Sequence, residues 1–398
     1  MGGVSLVLEQ FLPQDGFSGT LVGRAWVPGA TAGPRVVAIR QDGIFEIPAA
    51  TISDLLDADD PAALARQTVG QRVATLAELL ENSGAGGCDP RRPFLLAPCD
   101  LQVIKAAGVT FASSLLERVI EEQARGDPAR AEAVRKEVAG LIGEDLRAIK
   151  PGSPEALKIK QVLIKQGLWS QYLEVGIGPD AEVFTKAPVL SSVGTGSEIG
   201  IHPDSAWNNP EPEIVLAVNS RGQTMGATLG NDVNLRDFEG RSALLLPKAK
   251  DNNASCAIGP CLRLFDGSFS IDDVRRTDIS LLVEGPDGFK LRGSSSMSQI
   301  SRDPLDLVAQ SMGRYHQYPD GMMLFLGTMF APIEDRGQPG AGFTHKVGDI
   351  VYISSPKLGT LVNRVEHCDR IAPWTFGIRA LFGNLAARSS AAVKGAKG

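Results

Sequence analysis

The chain has 398 residues, enough for one large hydrophobic core with a smaller domain beside it. With 43% hydrophobic and 22% charged residues it reads as a soluble globular protein. A formal net charge of −6 leaves no dense basic face to offset phosphates, so no nucleic-acid partner is expected, and no run of 18 apolar residues offers a membrane span. The N-terminus lacks a basic and an apolar leader region, so a cytoplasmic location is expected. Cys88, Cys99, Cys256, Cys261 and Cys368 are odd in number and lack zinc-site spacing, which fits reduced thiols there.

In chain order, the apolar runs Gly19–Ala25 and Arg35–Ile39, then Gly43, Phe45 and Ile47, predict strands of a small β-rich unit. Thr51 to Leu56 and Pro61 to Leu80 read as helical, with Pro61 at the first helical position behind acidic residues. Gly84 to Pro93 is densest in Gly and Pro and sets a boundary. Residues 1–90 are expected as an N-terminal α/β domain and 91–398 as the main domain. A helix should then run from Ala112 to Gln123, burying Leu115, Leu116, Val119 and Ile120. Ser114, Glu117 and Glu121 share another face, which beside Arg118 and Glu122 also fits an ordinary solvated surface. Asp127-Pro128 and Ser153-Pro154 each put a capping residue before Pro, predicting two helices within 127–167, the second ended by Gly167.

The stretch from Asn209 to Pro260 organises the rest. Glu213 to Val218 is an apolar, β-branched strand candidate led in by Glu211, and residues two apart on a strand point the same way. Glu211 and Glu213 therefore aim at one spot, and a second strand, Gly226 to Val233, brings Asp232 to its end. Two carboxylates about 4 Å apart repel by roughly 4 kcal/mol at an effective dielectric near 20, which a divalent cation relieves. Three carboxylates without Cys or His beside them favour a hard cation, Mg²⁺ before Ca²⁺ or Mn²⁺. Spacing alone leaves it equally open that these are an exposed strand entry and a turn residue. His202, in the loop before Glu211, has no second His at ligand spacing. Further on, Ile279–Val283 and Phe289–Leu291 predict a hairpin, Arg292–Ser298 a polar loop, and Met323–Thr328 a strand ending in Gly327-Thr328. Ala386 to Gly398 is expected to fray.

The combination of Glu211/Glu213, Asn231-Asp232-Val233-Asn234-Leu235-Arg236-Asp237, Lys250 with Gly259-Pro260, Gly327-Thr328 and Val347–Asn363 resembles the fumarylacetoacetate hydrolase superfamily, over about residues 96 to 370. The resemblance implies an α+β fold, a mixed β-roll with a smaller N-terminal domain, and a homodimer or homotetramer. It makes residues 127–167 a helical insertion, either a lid or a packing element. It implies Mg²⁺, with Mn²⁺ as substitute, on Glu211, Glu213 and Asp232, beside Lys250. It places Lys186, Arg236, Gly327 and Thr328 around a small 2-oxo acid substrate. Where the family's C–C hydrolases carry a His and Glu acid–base pair, this chain has Ser114 and Glu117, with Glu121 as a further candidate. Without the imidazole, activation of a hydrolytic water lacks its usual base.

That departure, Ala107–Phe111 and the extended N-terminal region look most like the 2-keto-3-deoxy-pentonate dehydratases of the superfamily. The reaction expected is loss of water from a 2-keto-3-deoxy-pentonate to 2-oxoglutarate semialdehyde, in pentose oxidation. The alternative is C–C hydrolysis of an acylpyruvate or a 2,4-diketo-3-deoxy sugar acid. A metal-stabilised binding protein without turnover would leave Glu117, Lys250 and Thr328 without a reason to accompany the triad.

Overall fold

The computed structural model describes every residue except 1–3, 85–86, 132–148, 166–168, 331, 333, 338–341 and 396–398. Strand Pro212–Val218 lies inside a long mixed sheet and is buried along its whole length. Ile214, Leu216 and Val218 enter one hydrophobic cluster while Val215 and Ala217 enter another. That alternation is what an extended chain shows when both faces of its sheet are covered, and it explains why the run is apolar throughout. Strands Thr224–Asp232 and Met322–Phe325 flank it, both antiparallel.

From Thr224–Asp232 the sheet continues through Cys256–Leu264, Leu21–Val27, Gly33–Arg40 and Gly43–Glu46 to Arg72–Ala74. On the other side it passes through Met322–Phe325 to Val103–Gly108, which runs parallel to it, and then to Glu182–Ala187. A second sheet takes the order Lys290–Ser296, Asp278–Glu284, Ile350–Ser355, Gly359–His367, Glu198–Ile201. Its Ile279, Leu281, Val351, Ile353 and Leu361 meet Ile214, Leu216 and Leu229 in the main core. Burying each such side chain contributes about 1.5–3 kcal/mol, so the two-sheet contact carries much of the stability.

The N-terminal strands extend the same sheet, because Leu21–Val27 pairs with Cys256–Leu264. Phe94–Leu96, just past the Gly- and Pro-rich stretch, returns to pair with Leu21–Val27. Strand pairing therefore crosses the expected boundary near residue 90.

Four local expectations need correction or completion. Pro61 to Leu80 is not one helix but helix Pro61–Gln67, strand Arg72–Ala74 and helix Leu76–Glu81. Gly70 packs so tightly that a Cβ would stand 1.8 Å from the Glu46 carbonyl oxygen, and Thr75 restarts the helix through a capping box with Glu78. Arg292 to Ser298 is mostly strand, since Lys290–Ser296 pairs with Asp278–Glu284. The C-terminal segment does not fray through its described part but forms helix Ile378–Gly395, pinned by Asn384 and Arg388. Of the insertion, helix Pro154–Lys165 is present with Ser153 accepting from Ala156 N–H. Most of the first insertion helix lies outside the described residues.

Candidate active site

Helix Ala112–Ala124 buries Leu115, Val119 and Ile120 against Leu173 and Ile177 of helix Gln171–Ile177, as its apolar spacing requires. The side chains of Ser114 and Leu116 lie outside the described ones. The face expected as either solvated or functional is buried: Glu121 is 1% exposed and Arg118 8%. Arg236 donates from Nε to Glu121 Oε1 at 2.7 Å and from Nη2 to Glu117 Oε2 at 2.9 Å. Its guanidinium also lies 4.3 Å over the Trp207 ring. Arg118 Nη1 donates to Glu121 Oε2 at 2.7 Å, so both oxygens of Glu121 are held by arginines.

Arg118 links this helix to the sheet. Its Nη2 donates to Glu211 Oε1 in a short bond, and its Nη1 lies 2.7 Å from Glu239 Oε2. Glu211, Glu213 and Asp232 are all buried, and one oxygen of each lies within 4.8 Å of the others. Lys250 Nζ donates to Glu211 Oε2 at 2.5 Å and Asp232 Oδ2 at 2.9 Å. Gly327 N–H donates to Glu213 Oε2 at 2.7 Å and the Thr328 hydroxyl to Glu213 Oε1 at 3.2 Å. Gly327 has φ +103°, and a Cβ there would stand 1.9 Å from Thr110 Oγ1, so only glycine fits.

Lys186 is fully buried behind Asp232, with Nζ 2.9 Å from Oδ1. Its donors go to the carbonyls of Val233 and Lys250 and to Ser255 Oγ. Asp232 Oδ1 is ion-paired with this ammonium and accepts no other hydrogen bond among the described residues.

The electrostatics divide the carboxyls. Burial opposes ionisation of Glu211, but Lys250 and Arg118 outweigh it and hold the carboxyl down at about 2. Burial, then Asp232 and Glu211, push Glu213 well above the carboxylate range. Burial would favour a neutral Lys250, yet Asp232 and Glu211 prevail and push its ammonium up.

The donor set fits a hard divalent cation on three counts: the donors are all oxygen, one buried oxygen accepts no hydrogen bond among the described residues beyond its ion pair with Lys186, and Glu213 is repelled by its two neighbours. Glu211, Glu213 and Asp232 would hold it.

Three residues that sequence reasoning missed complete the site. Glu182 accepts no hydrogen bond among the described residues, and burial pushes its carboxyl up although Arg118 and Lys250 oppose the shift. Its carboxylate lies against Gly108, where a Cβ would stand 1.9 Å from Oε2. Glu182, Glu239 and Tyr172 line a recess of about 100 Å³. Burial raises Glu239 up to about 7 in spite of Arg118. Glu182 stands four residues before Lys186 on one strand, a spacing that shares a face, and this was the available signal. Arg118 was visible only as an i, i+3 partner of Glu121. His202 stands apart from the triad, its Nδ1 accepting from Asp204 N–H in its own loop.

Comparison with known proteins agrees with this geometry. Residues 171–366 match the fumarylacetoacetate (FAA) hydrolase C-terminal family. Over that segment the chain belongs to the fumarylacetoacetate hydrolase family. It is 32% identical over 185 residues to a 2-dehydro-3-deoxy-D-arabinonate dehydratase of Saccharolobus solfataricus, covering 46% of this chain and 58% of that one. It is 32% identical over 194 residues to a probable 2-keto-3-deoxyxylonate dehydratase of Haloferax volcanii, covering 49% and 63%. The match therefore spans less than two thirds of either relative. A solved 2-keto-3-deoxy-D-arabinonate dehydratase complexed with magnesium and 2,5-dioxopentanoate superposes with a TM-score of 0.59 at 21% identity, over 87% of this chain and 99% of that one. The α+β fold expected from the motifs is thus the fold of this family member. No helix among the described residues is long and apolar enough to cross a membrane.

Proposed function

We propose that this family member is a Mg²⁺-dependent dehydratase of a 2-keto-3-deoxy sugar acid, a pentonate, yielding 2-oxoglutarate semialdehyde. The observation that carries the reading is one site in which the buried carboxylate triad and Lys250 stand beside a half-buried carboxyl, Glu182, that accepts no hydrogen bond among the described residues. The names of the two relatives support the substrate class. When bound, Mg²⁺ supplies positive charge to the substrate carboxylate and 2-oxo group, which acidifies C3.

The chain's own residues do the rest. Lys250 holds Glu211 and Asp232 in place and adds positive charge beside the oxygen where charge develops. A base removes a C3 proton, the C4 hydroxyl leaves as water after taking a proton, and C5 tautomerises to the aldehyde. Glu182 is the group we assign to proton transfer, because a carboxyl pushed up by burial exchanges protons nearer neutral pH. Glu117, expected as the base, has Oε2 on Arg236, and Glu121 has both oxygens on arginines; we assign both to positioning. Gly327, Thr328 and Lys186 orient Glu213 and Asp232, and Arg236 orients the helix carboxylates.

The test is incubation with Mg²⁺ and 2-keto-3-deoxy-xylonate or -arabinonate, with mass detection. Loss of 18 mass units, one water, is expected. A split carbon chain would replace the reading with C–C hydrolysis.

A further inference from the structure

A second charged recess, remote from the triad, has no part in the proposed chemistry. Helix Ile378–Gly395 lies against the turn before strand Gly33–Arg40, where Asn384 Nδ2 donates to the carbonyls of Ala32 at 2.8 Å and Thr31 at 3.3 Å. The approach is close: a Cβ on Gly33 would stand 2.2 Å from that nitrogen. Helix, strand and the segment around Gly70 enclose an open cavity of about 890 Å³, with Arg35, Glu46, Thr68, Gln71, Arg388 and Ser389 on its wall.

The charges on that wall do not balance. Arg35 Nε at 3.4 Å and Arg388 Nη2 at 2.8 Å reach the same oxygen, Glu46 Oε1. Arg35 spends its other donors on the carbonyls of Pro34 and Thr31. Arg388 Nη1, by contrast, is buried and has no hydrogen-bond partner among the described residues. Burial and the Arg388 charge push the Arg35 guanidinium down, and Glu46 does not offset them. A clamp that only fastened the helix would match its charges one to one and leave no buried donor unused.

We propose that this recess binds a small oxyanion, a carboxylate or phosphate group, with Arg388 as its donor and Arg35 supplying charge behind it. An oxyanion neutralises the surplus guanidinium charge on the wall, and a planar fork suits either anion. The proposal is independent of the dehydratase reading. Strands Leu21–Val27 and Cys256–Leu264 separate Gly33–Arg40 from the strand that ends in Asp232.

Calorimetric titration of the full chain with inorganic phosphate and with succinate, each against sodium chloride at matched ionic strength, tests it. Saturable heat is expected from at least one anion. Saturation by phosphate alone assigns a phosphate ligand, and by succinate alone a carboxylate. Arg388→Gln should weaken binding about tenfold or more with turnover unchanged, as loss of a charge-assisted bond implies. No saturable heat from either anion, or an affinity that Arg388→Gln leaves unmoved, overturns the proposal. If Arg388→Gln does not fold, Glu46→Gln decides. It removes the carboxylate that competes for both guanidiniums, so tighter binding supports the site and unchanged or weaker binding overturns it.

Discussion

Two buried polar clusters meet at Arg118, and they are built on opposite principles. Around helix Ala112–Ala124, Glu117 and Glu121 are matched by Arg236 and Arg118, and both oxygens of Glu121 receive good hydrogen bonds. At the end of the sheet the same residue types crowd together, and Glu213, already opposed by burial, is repelled by Asp232 and Glu211. A compensated cluster fixes geometry. At the sheet end Lys250, Arg118 and Lys186 compensate Glu211 and Asp232 but leave Glu213 repelled, and that remaining demand is where a cation brings a gain. The contrast teaches that burial alone does not mark a reacting carboxylate; what is left unmatched does.

Metal removal should break the comparison most sharply. EDTA should abolish turnover, and Mg²⁺ or Mn²⁺ should restore it, as measured by product formation. Full activity in metal-free protein would make the triad a structural ion cluster like its neighbour. Next comes the proton-transfer group. Glu182→Gln should lower kcat by roughly 10²–10⁴ while metal affinity changes little. Glu117→Gln keeps an acceptor for Arg236 and should cost far less. The reverse order of effects would return the role of base to the helix.

The legible part of this site was the part written in short spacings on strands. Glu211, Glu213 and Asp232 lie at the ends of paired strands, so period-two alternation brings them together, and Lys250 and Thr328 join them. The fold followed from the same central run, because its apolar residues required cover on both faces. Arg118 and Glu239 were not legible, since Arg118 meets Glu211 across 93 positions of sequence. No local pattern tells a solvated i, i+3 ion pair from a buried one. The helix expected across Pro61 to Leu80 failed for a similar reason, as Gly70 answers to a carbonyl on a distant strand.

Glu239, which meets Arg118 between the two clusters, gives a pH test of how far that guanidinium compensates a carboxyl. Burial raises its carboxyl to about 7, so the folded protein holds that proton more tightly than the unfolded chain. The associated stability is fully present below the unfolded carboxyl value and is lost as pH rises through about 7. In EDTA, Glu239→Gln should therefore raise Tm relative to the parent at pH 8, and the gain should vanish by about pH 4, where both side chains are neutral. A Tm difference independent of pH would mean that Arg118 compensates Glu239 as fully as it does Glu121.

The smallest expected effect separates two readings of Thr328. The family resemblance puts its hydroxyl on the substrate, whereas here it donates to Glu213 Oε1 at 3.2 Å, with Gly327 N–H on the other oxygen. Thr328→Val keeps shape and volume and removes one donor from a carboxyl that already carries excess repulsion. A single hydrogen bond is worth about 1 kcal/mol net, so Mg²⁺ affinity should shift by about fivefold, with KM at saturating metal nearly unchanged. A carboxylate with one donor fewer is harder to ionise, and weaker metal binding is the expected sign. A KM that rises at saturating Mg²⁺, with metal affinity untouched, would instead move the hydroxyl from Glu213 to the substrate and show that the end of strand Met322–Phe325 reads the ligand directly.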